Sequence, residues 1–294
     1  MDDMRKLSVI LIWMMLCATI FAQQTANSRT SIPAIDLAKP ASDAAMNSRQ
    51  AKYVLERTVA ALGGDAYLKI QSYVQTGRGY GFYHNESQGV GLNYSHIVRL
   101  PDSERYEYNF QRESLPVLLP IPLAKSEQWI ILHIGDQGWE TTFRGTRSES
   151  AAELEEYNRR RHYDLDLILR YWLPDPKTTM FFEGETIEVT KEVYKVTMLS
   201  ADNLNVTLFV DRKSFLPLKK TFTYRDKVYK DIQEEAELYD TYRDEQGFNT
   251  PHVLTRKKNG DIVSQRFIKK VEFNTVFDEK LFAPPTVNYN KMKK

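Results

Sequence analysis

Cysteine is all but absent: Cys17 is the only one in 294 residues. It lies in a short apolar run, 7–21, that follows Arg5 and Lys6 and ends at Ala22 before Gln23 and Gln24. A basic start, a short apolar stretch and a small residue at the cut describe a secretory signal peptide over 1–22. The run is short for a spanning helix, which needs about 20 apolar residues; an uncleaved anchor is the alternative. Lipid attachment at Cys17 would want a small residue before it, and Leu16 stands there. Cleavage after Ala22 leaves no cysteine, which excludes disulfides, thiolate nucleophiles and cysteine–zinc sites. An exported chain without disulfides needs a real hydrophobic core, and about 270 residues can supply one.

Charge of one sign is lacking too. Forty basic and 39 acidic residues give a net charge of +1, so no overall field recruits nucleic acid, which is excluded as a partner. No H-E-x-x-H, G-x-S-x-G or P-loop pattern occurs. Gly77, Gly79 and Gly81 alternate, but a dinucleotide fingerprint would need its third glycine at Phe82 or His84. The five histidines (His84, His96, His133, His162, His252) are scattered without ligand spacing and read as surface or strand-packing residues. No catalytic residue, metal site or cofactor is therefore assigned. Carboxylates crowd 231–245, where an acid/base pair is conceivable; the wet side of a long strand is the simpler reading. Arg159, Arg160 and Arg161 could meet a phosphate head group, but consecutive helical positions point apart, which favours a solvated face.

What is present is a long succession of strands. Residues 23–42 are small, polar and proline-interrupted, a flexible leader. A helix is predicted from Asp43, with Tyr53, Val54, Leu55, Thr58, Val59 and Leu62 at helical spacing and Gly63-Gly64 as its stop. Strands are predicted over 73–83, 92–99, 105–111, 128–134 and 139–144. After a helix over 150–173 come 178–183, 187–199, 204–210, 216–224, 228–242, 249–257 and 262–273. Short polar turns such as Ala201-Asp202-Asn203 suit hairpins, hence an antiparallel meander in one domain, 43–290. Several strands have one greasy side: Leu204, Val206, Leu208 and Val210 align, as do Leu216, Leu218, Phe222 and Tyr224 with Lys220 intruding. Two helices cannot cover both sides of about ten strands, so a strongly curved sheet over helices is expected, with the alternating glycines as the bend of its first strand. The expected class is α+β.

The order of motifs resembles the superfamily of outer-membrane lipoprotein carriers, the LolA/LolB-like fold, in a longer bacterial form. The residues are Ala61-Leu62-Gly63-Gly64, Leu68, Ile70 and the strand at Gly77, then Asp136-Gln137-Gly138-Trp139 and a helix ending LRYWL at 169–173. The tail continues it with VDRKSFLPLKKTF, 239–243, FNTPHVLTRKKNGD and VEFNTVFDEKLFAPP. The resemblance covers about 50–285 and rests on motif order and strand rhythm rather than on a catalytic signature. It implies a strongly curved antiparallel β half-barrel with helices across the concave side, and a hydrophobic cavity for an acyl chain.

The stretch SLPVLLPIPLAK, 114–125, carries Leu115, Val117, Leu118, Leu119, Ile121 and Leu123 among three prolines and no charge. Prolines forbid a regular helix or interior strand there. The segment either plugs the curved sheet or forms a lip at the ligand mouth that touches a membrane. Trp129, Trp139, Leu208, Val210, Leu218 and Phe222 are the other candidate wall residues. The expected protein is a non-enzymatic periplasmic monomer that shelters a lipid, a lipoprotein acyl chain or a similar apolar ligand, with transient membrane contact. The alternative is an envelope sensor or scaffold that binds a protein through its sheet.

Overall fold

The computed structural model describes residues 35–89, 91–110, 127–188 and 190–288. From Asp36 on they belong to one compact unit. The first long element, α1 (Ala44–Leu62), starts where the Asp43 carboxylate accepts the Met46 N–H and stops at Gly63 with φ 137°. A short turn of helix, α2 (Asp65–Leu68), leads into β1 (Ser72–Tyr83). Within the expected leader, residues 36–41 are tied down by Gln50 on α1. Its amide donates to the carbonyls of Asp36 and Lys39 and accepts from Ala41 N.

After β1 come β2 (Glu86–Ser87), β3 (Leu92–Arg99), β4 (Ser103–Phe110), β5 (Glu127–Ile134), β6 (Gln137–Thr142) and β7 (Gly145–Ser148). A helical segment follows: α3 (Ala151–His162), then α4 (Leu165–Leu167) running into a wide π turn, Ile168–Trp172. The second meander is β8 (Thr179–Glu188), β9 (Lys191–Leu199), β10 (Asn205–Asp211), β11 (Pro217–Arg225), β12 (Ile232–Glu245), β13 (Phe248–Lys258) and β14 (Asp261–Phe273). A 3₁₀ turn, Glu279–Phe282, is the last regular element, and beyond it Asn288 pairs with Thr146 of β7.

Three turns sit elsewhere than the sequence suggested. The strand expected over 187–199 divides between β8 and β9, with Thr190 at φ 64°. The strand expected from 228 starts at 232, because the Asp226 carboxylate accepts the N–H groups of Val228 and Tyr229 and holds a turn. The strand expected over 139–144 ends at Thr142, where Phe143-Arg144 turn the chain back into β7.

All pairings are antiparallel, in the order β7-β6-β5-β4-β3-β1-β14-β13-β12-β11-β10-β9-β8, with β2 on β1 alone. First and last strands are thus neighbours in the middle, and the two edges, β7 and β8, are joined by the helical segment. That connection must cross the sheet. It does so over the concave face of a strongly curved half-barrel, pinned along its way. Tyr163 stacks on Phe222 of β11 at 3.9 Å, and Tyr157 stacks on His133 of β5 at 3.6 Å between ring centres. Arg161 donates to the Pro101 carbonyl, and Arg170 to those of Tyr67 and Leu68.

The helix expected over 150–173 breaks at Tyr163 and Asp164 for a reason visible in the sheet. The last carbonyls of a helix lack intrahelical partners and favour a cation. Lys220, buried on β11, donates from Nζ to the Tyr163 carbonyl at 2.6 Å and lies 3.8 Å from Asp164. One apolar core lies between α1 and β8–β10, where Phe182, Val196, Met198, Leu208 and Val210 are buried and Tyr53 meets Phe215 beside Tyr194. A second, on the opposite face, gathers Ile97, Leu132, Trp139 and Phe282 beneath the closing 3₁₀ turn.

Candidate functional site

Between α3 and the strands β1, β3–β5 and β11–β14 lies a cavity of about 600 Å³. Its floor is set by the alternation along each strand. Tyr94, Tyr108 and Trp129 are cross-strand partners, as are Val98, Glu104 and His133, so these rows share the concave face. Gly79 and Gly81 line the floor and leave it bare. Gly77 serves a different end: it sits at a bulge, and a Cβ there would lie 2.2 Å from the Phe267 carbonyl oxygen.

The wall is mixed. Leu92 and Ile131 are its large aliphatic side chains among the described residues, whereas Glu104, Glu149, Asp164, Glu235 and Glu237 face Arg160, Arg161, Lys220, Arg256 and Arg266. The hollow expected from the sequence is thus lined by charge on one flank and by aromatic rings on the other. Glu235 and Glu237 of β12 and the arginines of α3, expected in solvent, turn inward. The reason is curvature: Lys220, Glu235, Glu237, Arg256 and Arg266 lie on the inner side of β11–β14 and pair with one another. Glu237 is held by Lys220 at 3.0 Å, by Arg266 at 3.6 Å and by the Tyr239 hydroxyl at 2.9 Å. Burial raises its pKa, but Lys220 and Arg266 outweigh that and bring it down to about 2.

At the other end, four side chains form a chain across three strands. Glu104 Oε2 is 2.9 Å from His96 Nε2, its Oε1 is 3.5 Å from His133 Nδ1, and His133 Nε2 is 2.9 Å from Glu149 Oε2. Tyr106 stacks on His96 at 3.8 Å, so each imidazole carries one ring stacked against it. Gly138 makes the chain possible: a Cβ there would lie 2.5 Å from Glu149 Oε2. Burial pulls the His133 pKa down, yet its two carboxylates together raise it above the ordinary value. For His96 burial prevails and the pKa falls, since it has only Glu104 and Arg266 opposes protonation. Burial alone would raise the Glu104 pKa; the two histidines instead hold it well below the carboxylate range. The arrangement can store and pass a proton. Ser264, the serine on the cavity wall, lies four strand spacings from His133, roughly 19 Å along the sheet.

Of the twelve candidate wall residues, Trp129 and Phe222 line the cavity. Trp139 is on the opposite face, Leu208 and Val210 are wholly buried, and Leu218 packs with Val193 and Phe209. Leu115, Val117, Leu118, Leu119, Ile121 and Leu123 lie outside the described residues. The sequence reading missed Glu104, Tyr106 and Tyr108. Their signal was present in SERYEYNF, where they alternate with Arg105 and Glu107 at the period of a strand. His96, His133 and His252 are buried strand residues as expected, and His84 and His162 are exposed.

No family model matches the chain, and no curated protein does. Solved structures do match. A DUF1329 family protein from Desulfovibrio piger aligns with a TM-score of 0.52 and 10% identity over 79% of this chain and 97% of that one. The two share a fold. A putative outer membrane lipoprotein-sorting protein domain from Vibrio parahaemolyticus aligns at 0.48, with 11% identity over 80% and 97% of the two chains. The LolA superfamily protein NE2245 from Nitrosomonas europaea aligns at 0.45, with 13% identity over the same shares. The curved antiparallel half-barrel read from the sequence stands as the fold of this chain.

Proposed function

We propose that this is a periplasmic binding protein that holds a lipid or lipoprotein amphiphile in the concave cavity without chemically altering it. The observation that carries the reading is the cavity: about 600 Å³ beneath a crossing helix, floored by glycine and flanked on one side by stacked aromatic rings. Ligand sites of small molecules fall in the same range, about 300–1,000 Å³. The rings of Tyr106, Tyr108 and Trp129 follow one another at 5.9 and 4.9 Å and offer an apolar flank. The opposite flank is charged. A bare hydrocarbon laid over it would strip water from several ions, at a cost of several kcal/mol each. A molecule with both a polar and an apolar part fits both flanks. The amino-terminal segment supports export, and among the described residues no helix is long and apolar enough to cross a membrane.

Native mass spectrometry on protein recovered from the periplasm without detergent is the test. A discrete mass increment, identified as a lipid after solvent extraction, is expected; repeated preparations free of any such increment overturn the proposal. The second reading, a partner-binding scaffold, has one observation in its favour: Val228 and Tyr229 stand 77% and 82% exposed at the β11–β12 turn. A co-purifying protein in place of lipid would favour it.

A further inference from the structure

Charge is not shared evenly inside the cavity. Toward β11–β14, Glu235 and Glu237 serve four cations between them. Glu235 lies 3.3 Å from Arg256 and 3.5 Å from Arg159; Glu237 takes Lys220 and Arg266 at 3.0 and 3.6 Å. Arg160 enters from α3 and is paired only with Glu156 of its own helix, at 3.1 Å, among the described residues. Arg161 is engaged by Asp164 and the Pro101 carbonyl, and three further guanidinium groups border the cavity from two sides: Arg256 and Arg266 from β13 and β14, and Arg160 from above.

Their existing bonds leave capacity. Each guanidinium has five N–H donors. Arg256 spends one on Glu235, and Arg266 spends one on the Tyr106 hydroxyl. Arg256 faces Ser264 in register and Arg266 faces Gly79, so the two are diagonal neighbours, about 7–8 Å apart at the backbone. Gly79, Gly81 and Ser264 put nothing larger than a hydroxymethyl group on the floor beside them. Burial depresses the Arg256 pKa, and Arg160 and Arg266 add to the effect against the pull of Glu235 and Glu237. Each of the three guanidinium groups keeps one carboxylate beside it, Glu156, Glu235 or Glu237, and turns unused N–H donors toward the open floor.

We propose that Arg160, Arg256 and Arg266 form the seat of a phosphate group. Three forks converging from two elements suit a tetrahedral oxyanion, which accepts hydrogen bonds from several directions, better than a planar carboxylate. The inference rests on the amphiphile-binding reading and specifies its head group, with the apolar remainder against Tyr108 and Trp129. A soluble phosphate offers the same chemistry, and the test separates the two sources.

The probes are dihexanoyl phosphatidic acid, dihexanoylglycerol without phosphate, and inorganic phosphate, titrated by calorimetry into the wild type, Arg256→Gln and Arg160→Gln. Arg160 sits half-buried on a helix surface, so its variant keeps the test open if Arg256→Gln fails to fold. Arg212→Gln, on a remote exposed pair, is the control. Phosphatidic acid is expected to bind at least about tenfold more tightly than the diglyceride, and to lose about tenfold in each cavity variant. Added salt should weaken it further. If both lipids bind alike and the variants change nothing, the phosphate seat is overturned while the amphiphile reading stands. If only inorganic phosphate binds, and the variants weaken it, the seat holds and the amphiphile reading falls. If no probe binds, both fall.

Discussion

Glu104→Gln tests the most tightly specified part of the molecule. The side chain keeps its shape but loses its charge between two buried histidines. Its 2.9 Å contact to His96 is a full charge-assisted hydrogen bond, worth about 1.5–3 kcal/mol; the 3.5 Å contact to His133 is weaker. Leaving a buried histidinium short of one carboxylate adds to the loss, so about 3 kcal/mol is expected. In a domain of this size that lowers Tm by about 6–12 °C. The pH dependence gives a second, independent readout. His133 has a folded pKa above the ordinary 6.5, so its contribution is complete below pH 6.5 and disappears as pH rises through the folded value. Glu104, depressed, contributes above the ordinary carboxylate pKa and loses its effect only as pH falls through its own lower value. His96, also depressed, makes stability fall as pH drops below 6.5. Wild-type Tm, followed by circular dichroism from about pH 5 to 9, should therefore decline on the alkaline side, and the variant should decline less steeply because His133 keeps only Glu149. A variant with unchanged Tm and an unchanged alkaline slope would refute the buried charge relay.

Gly77→Ala should cost about 2–3 kcal/mol in urea unfolding, since the new methyl meets backbone that cannot move aside, whereas Gly81→Ala, with nothing within 4 Å, should be close to neutral. Equal effects would show that strand entropy, not the close approach, sets the glycine requirement. Lys220→Met should destabilise by about 3 kcal/mol, by uncovering Glu237 and the end of α3 together. The Glu237 contribution, lost in the wild type only as pH falls to about 2, should also shrink. The double variant Lys220→Met/Glu237→Gln should cost less than the two single changes added; strict additivity would contradict the pairing.

Much of the fold was legible because strand alternation and hairpin turns are local. The faces of β10 follow from one residue and the next, and Lys220 already stood out as the break in a greasy row. The polarity of the site was not legible in the same way. Glu235 and Glu237 read as a wet edge since most charged strand faces meet solvent, and only the arrival of α3 above them makes that face an interior. Trp139 read as wall because tryptophan in a strand gives no sign of which face will be covered. The partners of Glu104 are eight and 29 residues away, and no spacing rule joins them.

By itself the sequence determined the elements, their antiparallel order and the excess of sheet over helix, since each depends on side-chain periodicity within a few residues. Tertiary structure alone decided which face became the inside. The connection between the two edge strands had to cross the concave side, and its arginines and aspartates brought counter-charges that allowed a polar face to be enclosed. Burial of charge depends on partners distant in the chain, so its location emerges only when the sheet curves and the helix lies across it.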